Sequence, residues 1–191
     1  MLEDFDLEQI VEPLLGWFEK NARTLPWRSV ATPYRVWASE IMLQQTRVEA
    51  VKPYFARFME ALPTVQDLAE CEEERLLKLW EGLGYYNRVR NMQIAAQTVM
   101  EQYNGELPAD YEKLHELKGI GNYTAGAIAS IAYGIPVPAV DGNVLRILMR
   151  VSADDSDIMK QSVKTKVEQA LLKVIPSDRA GSFNQALMEL G

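Results

Sequence analysis

Apolar residues recur with a helical period along nearly the whole chain, and no convincing period-two alternation interrupts them. Leu14, Leu15 and Phe18 open the first stripe, with Pro13 expected in a first turn, where a helix tolerates proline. Thr32-Pro33 reads as an N-cap with proline at the first helical position, opening a helix through Val36, Trp37 and Ile41 to Gln45. Thr46 and Glu49 have capping-box spacing ahead of Val51, Tyr54, Phe55 and Phe58. Thr64 and Asp67 start another helix, and Leu76, Leu77 and Trp80 lie on one that stops at Gly82. Val89, Met92, Ala96 and Val99 mark a long helix closing at Asn104-Gly105. A short apolar segment ends at Leu117, and a helix covers Ala125 to Tyr133 after a glycine-bearing turn. Prolines stiffen the loop from Ile135 to Val140, a helix follows Asp141, and two more cover about 162–175 and 178–190. The pattern predicts an all-α chain of about ten short helices, without repeats or a flexible linker.

Composition narrows this little, but charge and cysteine usage do more. The 191 residues suit one domain or two intimate lobes. No apolar run approaches membrane-spanning length, and the acidic start, Glu3, Asp4 and Asp6, is unlike a secretory signal, so no membrane association and a cytoplasmic setting are expected. One cysteine, Cys71, excludes an internal disulfide framework and a cysteine-only metal site, so no metal ligands are expected in this chain. The net charge of −7 argues against a protein that coats DNA generically. The acid is concentrated near the start and over Asp67–Glu74, however, whereas Arg47, Lys52, Arg57, Arg88, Arg90, Lys118, Arg146 and Arg150 lie nearer the chemical motifs. A local basic face is compatible with that distribution.

Two features carry candidate chemistry. In Leu117-Lys118-Gly119-Ile120-Gly121, both glycines can adopt positive φ and admit another molecule close to the backbone. The helix that follows aims free N–H groups and its positive end at this turn, a setting for a phosphate; a tight turn with a glycine C-cap is the other reading. The second feature is a pair of carboxylates. Glu40 lies inside the Pro33–Gln45 helix among Val36, Trp37 and Leu43, where an apolar face would raise its pKa and keep it protonated. Asp141 precedes Gly142-Asn143 at a helix start, where backbone N–H groups favour the anion. An acid and an anion together suit cleavage of a glycosidic bond through a cationic sugar; a solvated Glu40 and a plain N-cap at Asp141 fit the same residues.

The chain resembles the helix-hairpin-helix DNA glycosylases, most closely the MutY-type adenine glycosylases. The resemblance rests on Leu25-Pro26-Trp27-Arg28, Pro33-Tyr34-Arg35-Val36-Trp37, Ser39-Glu40-Ile41-Met42-Leu43-Gln44-Gln45-Thr46, Trp80-Glu81-Gly82-Leu83-Gly84-Tyr85-Tyr86, the Leu117–Gly121 hairpin and Val140-Asp141-Gly142-Asn143-Val144, in family order. It implies two helical lobes with a DNA-binding cleft between them: a six-helix barrel over 29–139, and a lobe of 1–28 plus 140–191, within one catalytic domain over 1–191. It implies a monomer acting on double-stranded DNA, excising adenine opposite 8-oxoguanine or guanine, a reaction that requires the nucleotide to be flipped out. Glu40 would protonate the adenine and Asp141, with Asn143 beside it, would stabilise the sugar cation. Trp27 and Arg28 would border the adenine pocket, or else be a core tryptophan and a surface arginine. Gln45 and Tyr85 would insert beside the 8-oxoguanine with Leu43, Thr46 and Leu83 nearby, or else be a helix-end amide and a core tyrosine. Lys118, Gly119 and Gly121 would hold DNA backbone. Tyr123 stands where endonuclease III-like relatives carry a lysine, so strand cleavage through a Schiff base is not expected; Tyr123 would position the nucleotide or pack the hairpin. The family form carries a 4Fe–4S cluster on four cysteines, and the chain is expected to be truncated just before the first of them. A non-catalytic DNA-binding module, an endonuclease III-like glycosylase of other base specificity and a protein-interaction scaffold remain open alternatives.

Overall fold

A computed structural model describes residues 2–191 and contains, among them, a short 3-10 turn and twelve α-helices with no strand. No helix among the described residues is long and apolar enough to cross a membrane. The chain divides into two compact units, 24–125 and the remainder, 1–23 plus 126–191. The sequence-based division at 29 and 139 falls elsewhere, and the interior of the second unit explains why.

The 24–125 unit contains α2 (Pro26–Ser29), α3 (Pro33–Leu43), α4 (Val48–Ala61), α5 (Val65–Glu70), α6 (Glu73–Trp80), α7 (Asn87–Gln102), α8 (Tyr111–Glu116) and the first turn of α9 (Asn122–Tyr133). Local chemistry starts several of them. Thr32 accepts from Arg35 N ahead of Pro33, and Thr64 and Asp67 form a reciprocal capping box. The expected box at Thr46 and Glu49 is absent: α4 has Arg47 at its N-cap with no side-chain cap bond, and Thr46 instead follows a left-handed Gln45. Helix α3 ends at Leu43, earlier than the pattern predicts, because Gln44 already leaves the helical region at ψ 114°. The core gathers Trp37, Phe55, Phe58, Leu68, Leu76, Trp80, Met92 and Leu114, with Phe58 and Trp80 edge to face at 6.0 Å. Helix α3 is buried from Val36 to Met42 on every side, so polar Ser39 and Glu40 are carried inside with it.

The other unit pairs α1 (Glu8–Asn21) with α12 (Ala180–Leu190), and adds the rest of α9, α10 (Gly142–Val151) and α11 (Gln161–Val174). Leu15, Phe18, Val144, Leu148, Val167, Leu171, Phe183 and Leu187 form its core. Pro13 lies inside α1 rather than in its first turn. Proline there removes one backbone bond, but it faces solvent while Leu7, Val11 and Leu14 bury the opposite side. The segment 126–139 belongs to this unit because α12 binds it. Asn184, fully buried, donates to Ser130 Oγ at 2.8 Å and to Val137 O at 2.9 Å, and accepts from Ala139 N at 3.2 Å. Backbone also approaches closely here: a Cβ on Gly181 would stand 2.7 Å from Ser130 O. At the helix end, Arg23 grips Glu189 with Nε at 2.6 Å and Nη2 at 3.0 Å, a bidentate pair.

Candidate functional site

In the 24–125 unit the sequence-predicted residues fall into three places. The first is the interior of α3. Glu40 is only 6% exposed, and the Tyr123 hydroxyl donates to its Oε2 at 2.6 Å. A bond this short is in the range of a charge-assisted O–H···O contact and fixes the carboxyl rotamer. The sequence reading offered packing or nucleotide positioning for Tyr123; the bond to Glu40 was not foreseen. Trp27 is 6% exposed and meets Phe55 edge-on at 5.4 Å, so it packs in the core at least on that face, with half-buried Arg28 next to it.

The second place is the hairpin between α8 and α9. Asp110 caps α8 by accepting from Lys113 N at 2.9 Å, and Leu117 and Ile120 are buried beneath the turn. Lys118, Gly119 and Gly121 form its exposed rim. Only Gly119 takes positive φ, 78°, whereas Gly121 leads directly into α9 with a backbone open to any residue. The two glycines therefore do different work. A Cβ at Gly119 would lie 2.9 Å from Asn91 Cβ, but at Gly121 it would meet nothing within 4 Å. Gly119→Ala is expected to cost about 1–2 kcal/mol of stability by urea titration, from the left-handed backbone and the Asn91 contact. Gly121→Val should leave the urea midpoint nearly unchanged, and any loss of duplex affinity it causes should be equal for paired and mispaired DNA, because backbone contacts position without specifying. A loss confined to one mispair would contradict a phosphate role for the turn.

The third place joins two loops. Gln45 and Tyr85 are both left-handed, at φ 59° and 49°, and both are exposed, Tyr85 by 67%, which excludes a core tyrosine. Thr46 and Leu43 are half-buried beside Gln45, and Leu83 is buried below Tyr85. Between the loops stands Arg88, which the sequence marks only as one basic residue among several. Its Nη1 donates to Ile41 O at 2.8 Å and Gln44 O at 2.6 Å, and its Nη2 to Leu83 O at 3.1 Å and Gly84 O at 3.3 Å. Burial pushes this guanidinium below its ordinary value, opposed by the Tyr85 phenol, and it stays charged at neutral pH.

Asp141 belongs to the other unit, where it is the N-cap of α10. Its Oδ1 accepts from Val144 N at 2.9 Å and its Oδ2 from Asn143 Nδ2 at 3.1 Å, so both oxygens are held. Arg146 in turn donates to Asn143 Oδ1. The carboxylate is half-buried in a frame of N–H donors. An iron–sulfur cluster needs several thiolates, and Cys71, between α5 and α6, is the one cysteine of the chain, so the residues present do not fit such a group.

Residues 38–177 match the family described as HhH-GPD superfamily base excision DNA repair protein. The chain is 44% identical over 187 residues to an adenine DNA glycosylase of Mus musculus, covering 93% of this chain and 36% of that one. It is 39% identical over 179 residues to an adenine DNA glycosylase of Buchnera aphidicola subsp. Acyrthosiphon pisum, covering 93% of this chain and 51% of the relative. The chain thus spans about a third to a half of the length of these curated relatives. A structure of a non-covalent endonuclease III–DNA complex superposes with a TM-score of 0.81 at 26% identity, covering 98% of this chain and 86% of that one.

Proposed function

The chain belongs to the HhH-GPD superfamily of base excision DNA repair proteins, and from that membership we propose that it hydrolyses the glycosidic bond of adenine mispaired with 8-oxoguanine or guanine in double-stranded DNA. The observation that carries the reading is the Glu40 carboxyl, 6% exposed and held by the Tyr123 hydroxyl at 2.6 Å. The named activity of the relatives supports the choice of base. The target nucleotide is flipped out at a cost of a few kcal/mol. Glu40 gives its proton to the adenine ring, the C1′–N9 bond breaks with its electron pair leaving on the base, and the sugar becomes an oxocarbenium ion. The charge of Asp141, held in place by Val144 N–H and Asn143, opposes the developing cation. Water adds at C1′ and its proton returns to Glu40, leaving an abasic site. Gln45 and Tyr85 enter beside the opposing base, and the exposed rim at Lys118, Gly119 and Gly121 holds a phosphate.

Single-turnover release of adenine from a duplex with one A:8-oxoguanine pair tests the reaction; binding without release would favour a non-catalytic module. The chemistry should also stop at the abasic site. A lyase needs an amine within reach of C1′, and Tyr123 supplies a phenol, which cannot form an imine. Borohydride is expected to trap no protein–DNA adduct while alkali cleaves the product strand. Efficient trapping that disappears when one lysine is replaced would refute a purely hydrolytic reaction.

A further inference from the structure

Gln45 and Tyr85 share an unusual circumstance. Each is a non-glycine residue in left-handed backbone, each follows the carbonyl of a residue bound by Arg88, and they lie 40 positions apart in sequence. The carbonyls of Ile41 and Gln44 close α3, and those of Leu83 and Gly84 lie in the turn between α6 and α7, so one cation ties a helix end to a separate turn. The guanidinium also lies 5.6 Å from the Trp80 ring centre and 5.4 Å from that of Tyr85, and Trp80 Nε1 donates to Gly84 O at 3.1 Å. A planar fork can meet carbonyls from two loops at once, which a lysine ammonium cannot reproduce. Gln45, Tyr85 and Arg88 line one open recess of about 410 Å³ with Gln44, Tyr86 and Asn87.

We infer that Arg88 is a positioning residue that fastens the Gln45 and Tyr85 loops into one rigid wedge, so that both side chains enter the duplex together. The inference rests on the reading that these side chains insert beside the mispair, but not on base release. Strained backbone persists only where its surroundings over-determine it, and the four carbonyl bonds of Arg88 provide that.

The test uses the 191-residue chain and a duplex with 2-aminopurine beside an A:8-oxoguanine pair, whose fluorescence rises when stacking is broken. At saturating protein, Arg88→Lys should reduce the rise at least about threefold, while affinity for fully paired duplex stays within about twofold. In a Gln45→Ala/Tyr85→Ala background the same substitution should change nothing further. A wild-type response from Arg88→Lys, or an equal proportional loss in both backgrounds, would overturn the inference. Because Arg88 variants risk unfolding, the single alanine substitutions give an independent measure. One wedge makes their effects strongly non-additive, and simple additivity means two independent loops. Absence of any fluorescence rise with the wild-type chain removes the wedge itself. A normal rise without adenine release leaves Arg88 in place and removes only the proposed chemistry.

Discussion

Glu40→Gln is expected to retain duplex binding and to lower single-turnover adenine release by about 10³-fold or more, within the range that a positioned general acid supplies. The substitution is close to isosteric. Its amide oxygen can still accept from the Tyr123 hydroxyl, so the bond at the centre of α3 has a replacement acceptor. The thermal midpoint should therefore move little, by an amount equivalent to about 1 kcal/mol or less. Release at near the unsubstituted rate would remove Glu40 from the reaction. A large fall in midpoint would instead make the carboxyl a structural member of the core.

Asp141→Asn should lower the rate by about 10²–10³-fold, the scale found when one electrostatic stabiliser of a transition state is removed. Asparagine is as good an N-cap as aspartate, so the bond from Val144 N is retained and only the negative charge is lost. Asp141→Ala gives the contrast: it removes cap and charge together and should destabilise by about 1 kcal/mol as well as abolish release. If the asparagine variant lost rate only in step with its melting temperature, Asp141 would be a cap and nothing more.

What could be read from the sequence and what could not differ by the distance over which the chemistry acts. The Thr32-Pro33 start, the Thr64–Asp67 box and the Asp141 cap all involve partners three residues apart, and each is present. Burial of Glu40 followed from the apolar run around it. The Tyr123 bond to Glu40 spans 83 residues, and no local pattern encodes it. The left-handed turns at Gln45 and Tyr85 were equally hidden, because neither residue type announces positive φ and their stabilising arginine acts on α3 from 44 residues away. The capping-box spacing at Thr46 was misleading because α4 starts one residue later, with Arg47 at its N-cap. Pro13 misled for another reason, since local propensity was outweighed by the apolar face of α1.

The interleaving of the two units has a consequence for how the protein is made. Residues 24–125 are contiguous, so a chain emerging from the ribosome completes that unit while synthesis continues. Helix α1 precedes that unit in the chain, yet its apolar face packs on α12, which follows it. The loop leading into Asp141 likewise waits for Asn184 of α12 to bind Val137 and Ala139. The nascent molecule therefore carries α1 with its face uncovered until well after residues 24–125 have emerged, and the loop before Asp141 is fastened only once α12 follows.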